Sequence, residues 1–395
     1  MISHYKELND DTKEFNLKRD IPFTEFTFLT FLSLYSLLSV INSSLLPISY
    51  PFLGNIKYFL VLIQVFFLIN IIRQSFSWNF WTIAFYSSIL MVLGISYMNS
   101  GLNTLLTSAL ILISMKDFDF ENILFFLVIG QIVGILIVLI SVFFNIVDNI
   151  VNIRFDGFRY SLGFLNANTI SNYLLSIALK IIYLTRKKRN LWVVVLLNCL
   201  FFITVMATDS RTSLILLLIF DMFFIMYRWM GNELFVKIIS IINNMAIAIT
   251  FIFSYLIALF FSYGNILMNE LNVLFSNRLS SAYKFFNLYG TSILGQKVEL
   301  RGTFEAATSN IGGALILDNG YLQLVIIYGL IPTILCLVLY FRILKNINLN
   351  RNCVLGICVL IYTIYGFNSG LILSWEYNFT LFYGIKTFTK KDDLA

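Results

Sequence analysis

The chain has 395 residues, of which 59% are hydrophobic and only 12% are charged. Its mean hydropathy is +0.84. Soluble domains carry roughly 25% charged residues, so this composition excludes an ordinary soluble protein and predicts one that crosses a membrane many times. The net charge of +6 does not indicate nucleic-acid binding.

Long apolar segments follow one another along almost the whole chain. A helix needs about 20 apolar residues to cross the hydrocarbon core of a bilayer. Segments of that kind predict an all-α polytopic membrane protein with about twelve transmembrane helices. The predicted spans are 23–46, 52–72, 78–98, 101–115, 121–147, 167–184, 191–208, 212–229, 237–262, 321–341, 353–369 and 370–388.

The positions of the basic residues predict the orientation of these spans. Most of the 27 lysines and arginines fall in cytoplasmic segments if the N-terminus is in the cytoplasm. This predicts a multi-pass protein of the cell membrane, with both termini in the cytoplasm. The tails 1–22 and 389–395 then flank a single membrane domain, 23–388. Two long connections, 148–166 and 263–320, face outside, and loops of such length are usually functional.

A charged turn interrupts the apolar sequence between residues 191 and 229. It reads "ATDSRTSLILLL" and contains Asp209, Ser210 and Arg211. Asp209 or Ser210 can cap the helix that follows, whereas the partial positive charge of a helix N-terminus disfavours a cation. Arginine combined with unsatisfied backbone N–H groups makes a good site for phosphate oxygens. Pairing of Arg211 with lipid headgroups or with Asp209 is the alternative interpretation.

Polar motifs also occur in both long outer connections. The first contains "GFRYSLGFLNAN", with Arg159, Asn166 and Asn168. The second begins with "SNRLSSAYKFF", which predicts an amphipathic helix at the membrane surface carrying Arg278. It continues through "SILGQ" and Arg301, which is either a functional cation or a solvated loop charge. It ends with "DNGYLQLVIIYGLI", where Asp318, Asn319 and Tyr321 lead into a span.

Along the chain, "GFRYSLGFLNAN", "DSRTSL", "SNRLSSAYKFF" with "SILGQ", and "DNGYLQLVIIYGLI" follow one another in this order. These four motifs and their order resemble those of the Wzy-type O-antigen and capsular polysaccharide polymerases, within the O-antigen ligase and polymerase superfamily. The resemblance covers about residues 155–330. Ligases of the superfamily carry a histidine where this chain has Asp318, and the single histidine here is His4, in the N-terminal tail. This difference favours a polymerase over a polysaccharide ligase, which stays an alternative.

The resemblance implies a helical bundle similar to the GT-C class of glycosyltransferases. It implies transfer of a growing oligosaccharide from undecaprenyl diphosphate to the terminal sugar of a second lipid-linked repeat unit. Arg211 and Arg278 would bind the donor diphosphate, Arg159 the donor or the acceptor, and Asp318 would act as a base or orient the acceptor. The other expected substrate-binding residues are Asn166, Asn168, Asp209, Ser210, Arg301, Asn319 and Tyr321.

Other roles and other protein classes stay open. Glu299, Glu305 and Glu376 are alternative bases, and the sequence indicates no metal site and no cofactor. A chain-length regulator and a flippase are the implied protein partners. The main competing class is a transporter or flippase for the same lipid-linked sugars, although the chain shows no internal repeat and has only four prolines. An outer-leaflet acyltransferase would be expected to have a histidine near its site.

Overall fold

A computed structural model describes residues 21–154, 157–186, 191–230, 232–275, 277–302, 304 and 314–386. The predicted tails 1–22 and 389–395 lie almost wholly outside these residues, and so does Glu305, one of the alternative bases. Within the described ranges, helices dominate and one two-stranded antiparallel hairpin is present.

The helices follow one another with short connections. In chain order they are α1 (Phe23–Asn42), α2 (Leu46–Ser49), α3 (Ile56–Ser75), α4 (Phe80–Ser100), α5 (Thr104–Ser114), α6 (Phe120–Phe143), α7 (Ala167–Thr185), α8 (Leu191–Thr208), α9 (Arg211–Trp229), α10 (Asn232–Phe260), α11 (Ile266–Leu274), α12 (Arg278–Tyr289), α13 (Gly320–Gln323), α14 (Leu330–Leu349), α15 (Cys353–Asn368) and α16 (Thr380–Lys386). The hairpin, β1 (Val151–Arg154) and β2 (Gly157–Tyr160), lies between α6 and α7.

Among the described residues, seven helical segments are long and apolar enough to cross a membrane. They are Phe23–Asn42, Pro51–Ser75, Phe80–Ser100, Phe120–Phe143, Arg211–Trp229, Leu234–Phe260 and Leu330–Asn348. Helices α5, α8 and α15 are also apolar but shorter. The chain is therefore an all-α membrane protein, whereas the number of twelve spans stays a prediction.

Two predicted spans are not continuous helices. The segment 321–341 consists of α13, a π-helical turn at Leu324–Tyr328 and a break at Gly329, after which α14 begins. Gly329 has φ +100°, a conformation that side chains rarely adopt. The segment 370–388 contains a 3-10 turn at Gly370–Leu373 and the short α16. Most side chains of 321–329 and 370–385 are buried inside the protein, whereas α14 keeps exposed apolar side chains and is one of the seven candidate spans.

The chain divides into two compact units. Unit 1 consists of residues 1–63 and 118–217, and unit 2 of residues 64–117 and 218–395. In unit 1, Gly130 and Gly134 bring α6 against α1. A Cβ atom at Gly130 would overlap the carbonyl oxygen of Ser33, and one at Gly134 would lie 2.8 Å from the Cβ of Val40. Small residues four apart permit this close packing of membrane helices.

Helix α7 presents a row of polar side chains inside unit 1. The row recurs at each helical turn and consists of Asn168, Asn172, Ser176 and Lys180. Lys180 is fully buried and donates to Gln131 Oε1 of α6 at 2.9 Å and to Ser176 Oγ at 2.8 Å. Each interhelical bond of this kind stabilises a membrane bundle by about 0.6 kcal/mol. These four polar side chains lower the mean hydropathy of α7, although they face the inside of unit 1.

In unit 2, α10 packs against α12 and α15. Leu279 of α12 is buried with Ile257 of α10 and with Phe261, which directly follows that helix. The apolar side of α12 therefore packs against the C-terminal part of α10, whereas the expected position of this helix at the membrane surface stays a prediction. The site residue Arg278 is held by a helix that is itself fixed by the core.

The "SILGQ" motif stabilises the broken helix of unit 2. Gln296 donates from its backbone N–H to the Ile327 carbonyl at 3.0 Å and from Nε2 to the Ile326 carbonyl at 3.0 Å. Ser96 of α4 donates to the Tyr328 carbonyl at 2.8 Å. These donors satisfy carbonyl groups that an ordinary helix would have bonded internally. The motif therefore holds the π-helical turn Leu324–Tyr328 in position.

Replacing Asn319 with alanine is expected to destabilise unit 2 by about 1–2 kcal/mol. Asn319 Oδ1 accepts from the backbone N–H groups of Tyr321 at 3.0 Å and Leu322 at 3.1 Å, and its Nδ2 donates to Ser254 Oγ at 2.9 Å. The loss is measurable as a lower midpoint of thermal unfolding in detergent. The matched control is Asn79→Ala, which removes one exposed cap bond to the Thr82 N–H. An equal loss in both variants would contradict this role.

Candidate functional site

The first polar cluster is in unit 1, where the hairpin and α7 meet the end of α8. Arg159 Nε donates to the Thr208 carbonyl at 2.7 Å, and Arg159 Nη2 donates to Asn168 Oδ1. The C-terminal carbonyl groups of a helix carry partial negative charge, which favours the guanidinium there. Ser210 Oγ also donates to Asn168 Oδ1, at 3.1 Å. Arg159, Asn168 and Ser210 are therefore brought together as one group.

The turn between α8 and α9 adjoins this group. Asp209 has φ +48°, which aspartate tolerates better than most residues do. Its Oδ1 accepts from Arg211 Nε at 2.9 Å, and 63% of the Arg211 side chain is exposed. Such an exposed pair contributes at most about 1 kcal/mol, so its partners can exchange. Arg211, at the first position of α9, is accessible to a ligand.

Asn166 is the N-cap residue of α7, and its side chain is exposed. Thr208 Oγ1 lies 2.9 Å from Ser171 Oγ of α7. The buried Thr208 and Ser171 thus connect the C-terminal end of α8 to the first turns of α7. This contact fixes the Thr208 carbonyl that orients Arg159.

The second polar cluster is in unit 2, at the first residue of α12. Arg278 Nε donates to Asp318 Oδ2 at 2.9 Å, and Arg278 Nη1 donates to Asn368 Oδ1 at 3.3 Å. The side chains of Arg278 and Asp318 are 21% and 38% exposed. Ser281, one turn further along α12, donates to the Ile316 carbonyl at 2.5 Å. This bond brings the segment before Asp318 against α12.

Asn319 and Tyr321, both expected substrate-binding residues, have packing contacts in the structure. Asn319 is the N-cap residue of α13. Tyr321 is 6% exposed and donates from its hydroxyl to the Thr363 carbonyl at 2.7 Å. Of Asp318, Asn319 and Tyr321, Asp318 is therefore the accessible residue.

The remaining candidate residues have other surroundings. Arg301 Nη2 donates to Glu299 Oε1 at 2.7 Å, and the Arg301 backbone forms an isolated bridge with Leu315. Glu376, a second alternative base, is buried. Of the carboxylates considered as a base, Asp318 is bonded to Arg278 and Glu299 to Arg301.

The sequence did not single out Asn368 or Thr208. Asn368 ends α15 in the segment "GFNSG", and this polar interruption between two apolar runs is the signal that could have indicated it. Thr208 contributes to Arg159 through its backbone carbonyl, which every residue has. No side-chain pattern could therefore have indicated it.

The chain matches no protein-family model, no curated protein and no solved structure.

Proposed function

We propose that this protein is a membrane glycosyltransferase that polymerises oligosaccharide repeat units carried on undecaprenyl diphosphate. One observation carries the proposal: the motifs that resemble those of the polymerases converge in pairs. "GFRYSLGFLNAN" and "DSRTSL" share the Arg159–Asn168–Ser210 group. "SNRLSSAYKFF" and "DNGYLQ" share the Arg278–Asp318 pair. Motifs that form a binding site are expected to contact one another in this way. Motifs that only cap or terminate helices need not contact one another.

The proposal includes a location and an orientation. The protein would cross the cell membrane about twelve times as a GT-C-like bundle. Both termini would be cytoplasmic, and 148–166 and 263–320 would face outside. Its substrates would be two lipid-linked oligosaccharides, and its protein partners a flippase and a chain-length regulator. Membrane lipid would surround it.

In the proposed reaction, the first cluster binds the diphosphate of the donor. The bond between the anomeric carbon of the donor sugar and the phosphate oxygen breaks as the acceptor hydroxyl attacks that carbon. Negative charge accumulates on the departing diphosphate, and fixed cations stabilise it in the transition state. Arginine suits this role because it stays charged and binds phosphate through two donors. Arg211 is accessible for this contact, and Arg159 is joined through Asn168 to Ser210, the residue before Arg211.

The acceptor hydroxyl loses its proton during the transfer. Asp318 would accept this proton or orient the acceptor. Its hydrogen bond to Arg278 sets the direction of the carboxylate. Either role requires the exposed Asp318 oxygen to lie near the sugar hydroxyl.

A transporter for the same lipid-linked sugars is the second candidate function. Interrupted membrane helices are typical of transporter binding sites, and the helix that contains Gly329 is interrupted. Its carbonyl groups at 326–328 are bonded to Gln296 and Ser96. This favours the polymerase, because transporter sites of this kind use such carbonyls to bind the solute or ion.

Replacing Asn168 with leucine is expected to raise the substrate concentration for half-maximal activity about tenfold. The change removes the acceptor that orients both Arg159 and Ser210. Asn168→Asp is the matched control, because a carboxylate oxygen accepts the same two bonds. The measurement is the initial rate of chain extension at varied substrate concentration. Equal losses in both variants would show that Asn168 does not act through hydrogen bonding.

The proposal is tested by incubating the purified protein in detergent with lipid-linked repeat units and resolving the products by size. Wild type is expected to produce a ladder of longer chains, whereas Arg211→Ala is expected to leave most units single. Arg228→Ala, at the other end of α9, removes a cation from the same helix and should keep the ladder if it accumulates normally. A full ladder from Arg211→Ala would exclude the proposed role of the turn.

A further inference from the structure

The Arg278–Asp318 pair has little net charge. Its two side chains form a hydrogen-bonded ion pair with a separation of 2.9 Å between Nε and Oδ2. A diphosphate that approached Arg278 would also approach the Asp318 carboxylate, and the like charges would repel each other. The pair is therefore a poor site for a dianionic leaving group, although an arginine in this motif at first suggests phosphate binding.

Hydrogen-bonding capacity remains on both members of the pair. Within the described ranges, Arg278 Nη2 donates to no protein acceptor and Asp318 Oδ1 accepts from no protein donor. The partly exposed pair therefore offers a charged donor next to a charged acceptor. A sugar hydroxyl needs this combination, because it donates one hydrogen bond and accepts others.

Asn368 fixes the direction of the guanidinium. Its Oδ1 accepts from Arg278 Nη1 at 3.3 Å, while Asp318 accepts from Nε. Arg278 is thus held from α15 and from the segment before α13, and its planar group cannot rotate freely. This leaves the Nη2 edge as the one that can meet a ligand.

We propose that Arg278 and Asp318 bind a hydroxyl group of a neutral sugar, and that Asn368 is the positioning residue of this site. The hydroxyl donates to Asp318 Oδ1 and accepts from Arg278 Nη2. The assignment rests on the proposed function in that the sugar is the acceptor end of a lipid-linked repeat unit. It moves Arg278 from the binding of the donor diphosphate to the binding of the acceptor sugar.

The test uses two soluble probes and the full-length protein in detergent. One probe is a neutral oligosaccharide released by mild acid from lipid-linked repeat units, and the other is inorganic diphosphate. Binding of each is titrated by saturation-transfer NMR. Arg278→Gln and Asp318→Asn are expected to weaken oligosaccharide binding about tenfold or more, and Arg278→Gln is expected to leave diphosphate binding unchanged. Lys284→Gln, which removes an exposed cation from the same helix, should change neither.

Asn368 is tested by a matched pair of variants. Asn368→Ala is expected to weaken oligosaccharide binding severalfold, and Asn368→Asp to restore it because the acceptor oxygen is retained. A purely structural role would make both variants unstable and would not produce this rescue.

Other outcomes would overturn the assignment. If Arg278→Gln weakens diphosphate binding, Arg278 belongs to the diphosphate site. If no variant changes oligosaccharide binding, the hydroxyl site does not exist. Failure of the proposed function gives a different result. In that case wild type makes no ladder of longer chains, but Arg278→Gln still weakens oligosaccharide binding.

Discussion

Replacing Arg278 with glutamine is expected to lower the initial rate of chain extension about a hundredfold. Glutamine cannot supply the charge or the second donor edge of the guanidinium. The substitution also removes the cation that balances Asp318, so an unpaired carboxylate would stand where the acceptor sugar has to bind. The measurement is the rate at which purified protein converts single lipid-linked units into dimers and longer products.

Two comparisons make this expectation specific. Lys284→Gln removes an exposed cation from the same helix and should retain the wild-type rate. The double variant Arg278→Gln, Asp318→Asn should lose little more than the single variant, because the two residues act as one unit. Strictly additive losses would contradict the pairing of Arg278 with Asp318 in the working enzyme.

Replacing Gly130 with leucine is expected to prevent stable packing of α1 on α6. The added Cβ would overlap the Ser33 carbonyl, which is backbone and cannot move aside without shifting the helix. Overpacking of this kind typically costs about 1–3 kcal/mol, and more where backbone is displaced. The measurement is the midpoint of thermal unfolding in detergent, together with the amount of protein in the membrane.

The matched control is Gly94→Leu, on α4, where an added Cβ has no neighbour within 4 Å. It should unfold at nearly the wild-type temperature. If Gly130→Leu does not accumulate, Gly134→Ala gives a measurable intermediate loss, because its Cβ would lie 2.8 Å from that of Val40. Equal stability of the Gly94 and Gly130 variants would contradict the close α1–α6 contact.

Hydropathy was sufficient to predict the long helices and insufficient to predict the broken ones. Helix α6 is strongly apolar and was expected within a few residues of where it lies. The segments around Gly329 and Ser369 are also apolar, but their side chains face other parts of the protein. A sum over hydropathy cannot distinguish burial in lipid from burial in protein. The left-handed conformation of Gly329 depends on contacts with residues 292–296, which are distant in sequence.

The sequence was sufficient to predict which residues belong to the candidate site. It was not sufficient to predict which of these residues contact one another. The arginines and Asp318 were recognisable because charges are rare in an apolar chain. Their partners were not, since Arg278 and Asp318 are 40 positions apart, and Asn368 is 90 positions from Arg278. Asn319 and Tyr321 share a motif with Asp318, yet helix capping and packing account for the contacts they make. Proximity in sequence therefore did not distinguish the accessible residue from its buried neighbours.

The most direct test of the central claim uses wild-type protein in sealed vesicles that contain lipid-linked repeat units. The products are resolved by size, and the side of the membrane on which the units lie is determined with a glycosidase that cannot cross it. A polymerase is expected to make longer chains without moving single units across the membrane. Movement of single units, without any longer chains, would contradict the polymerase and identify a transporter.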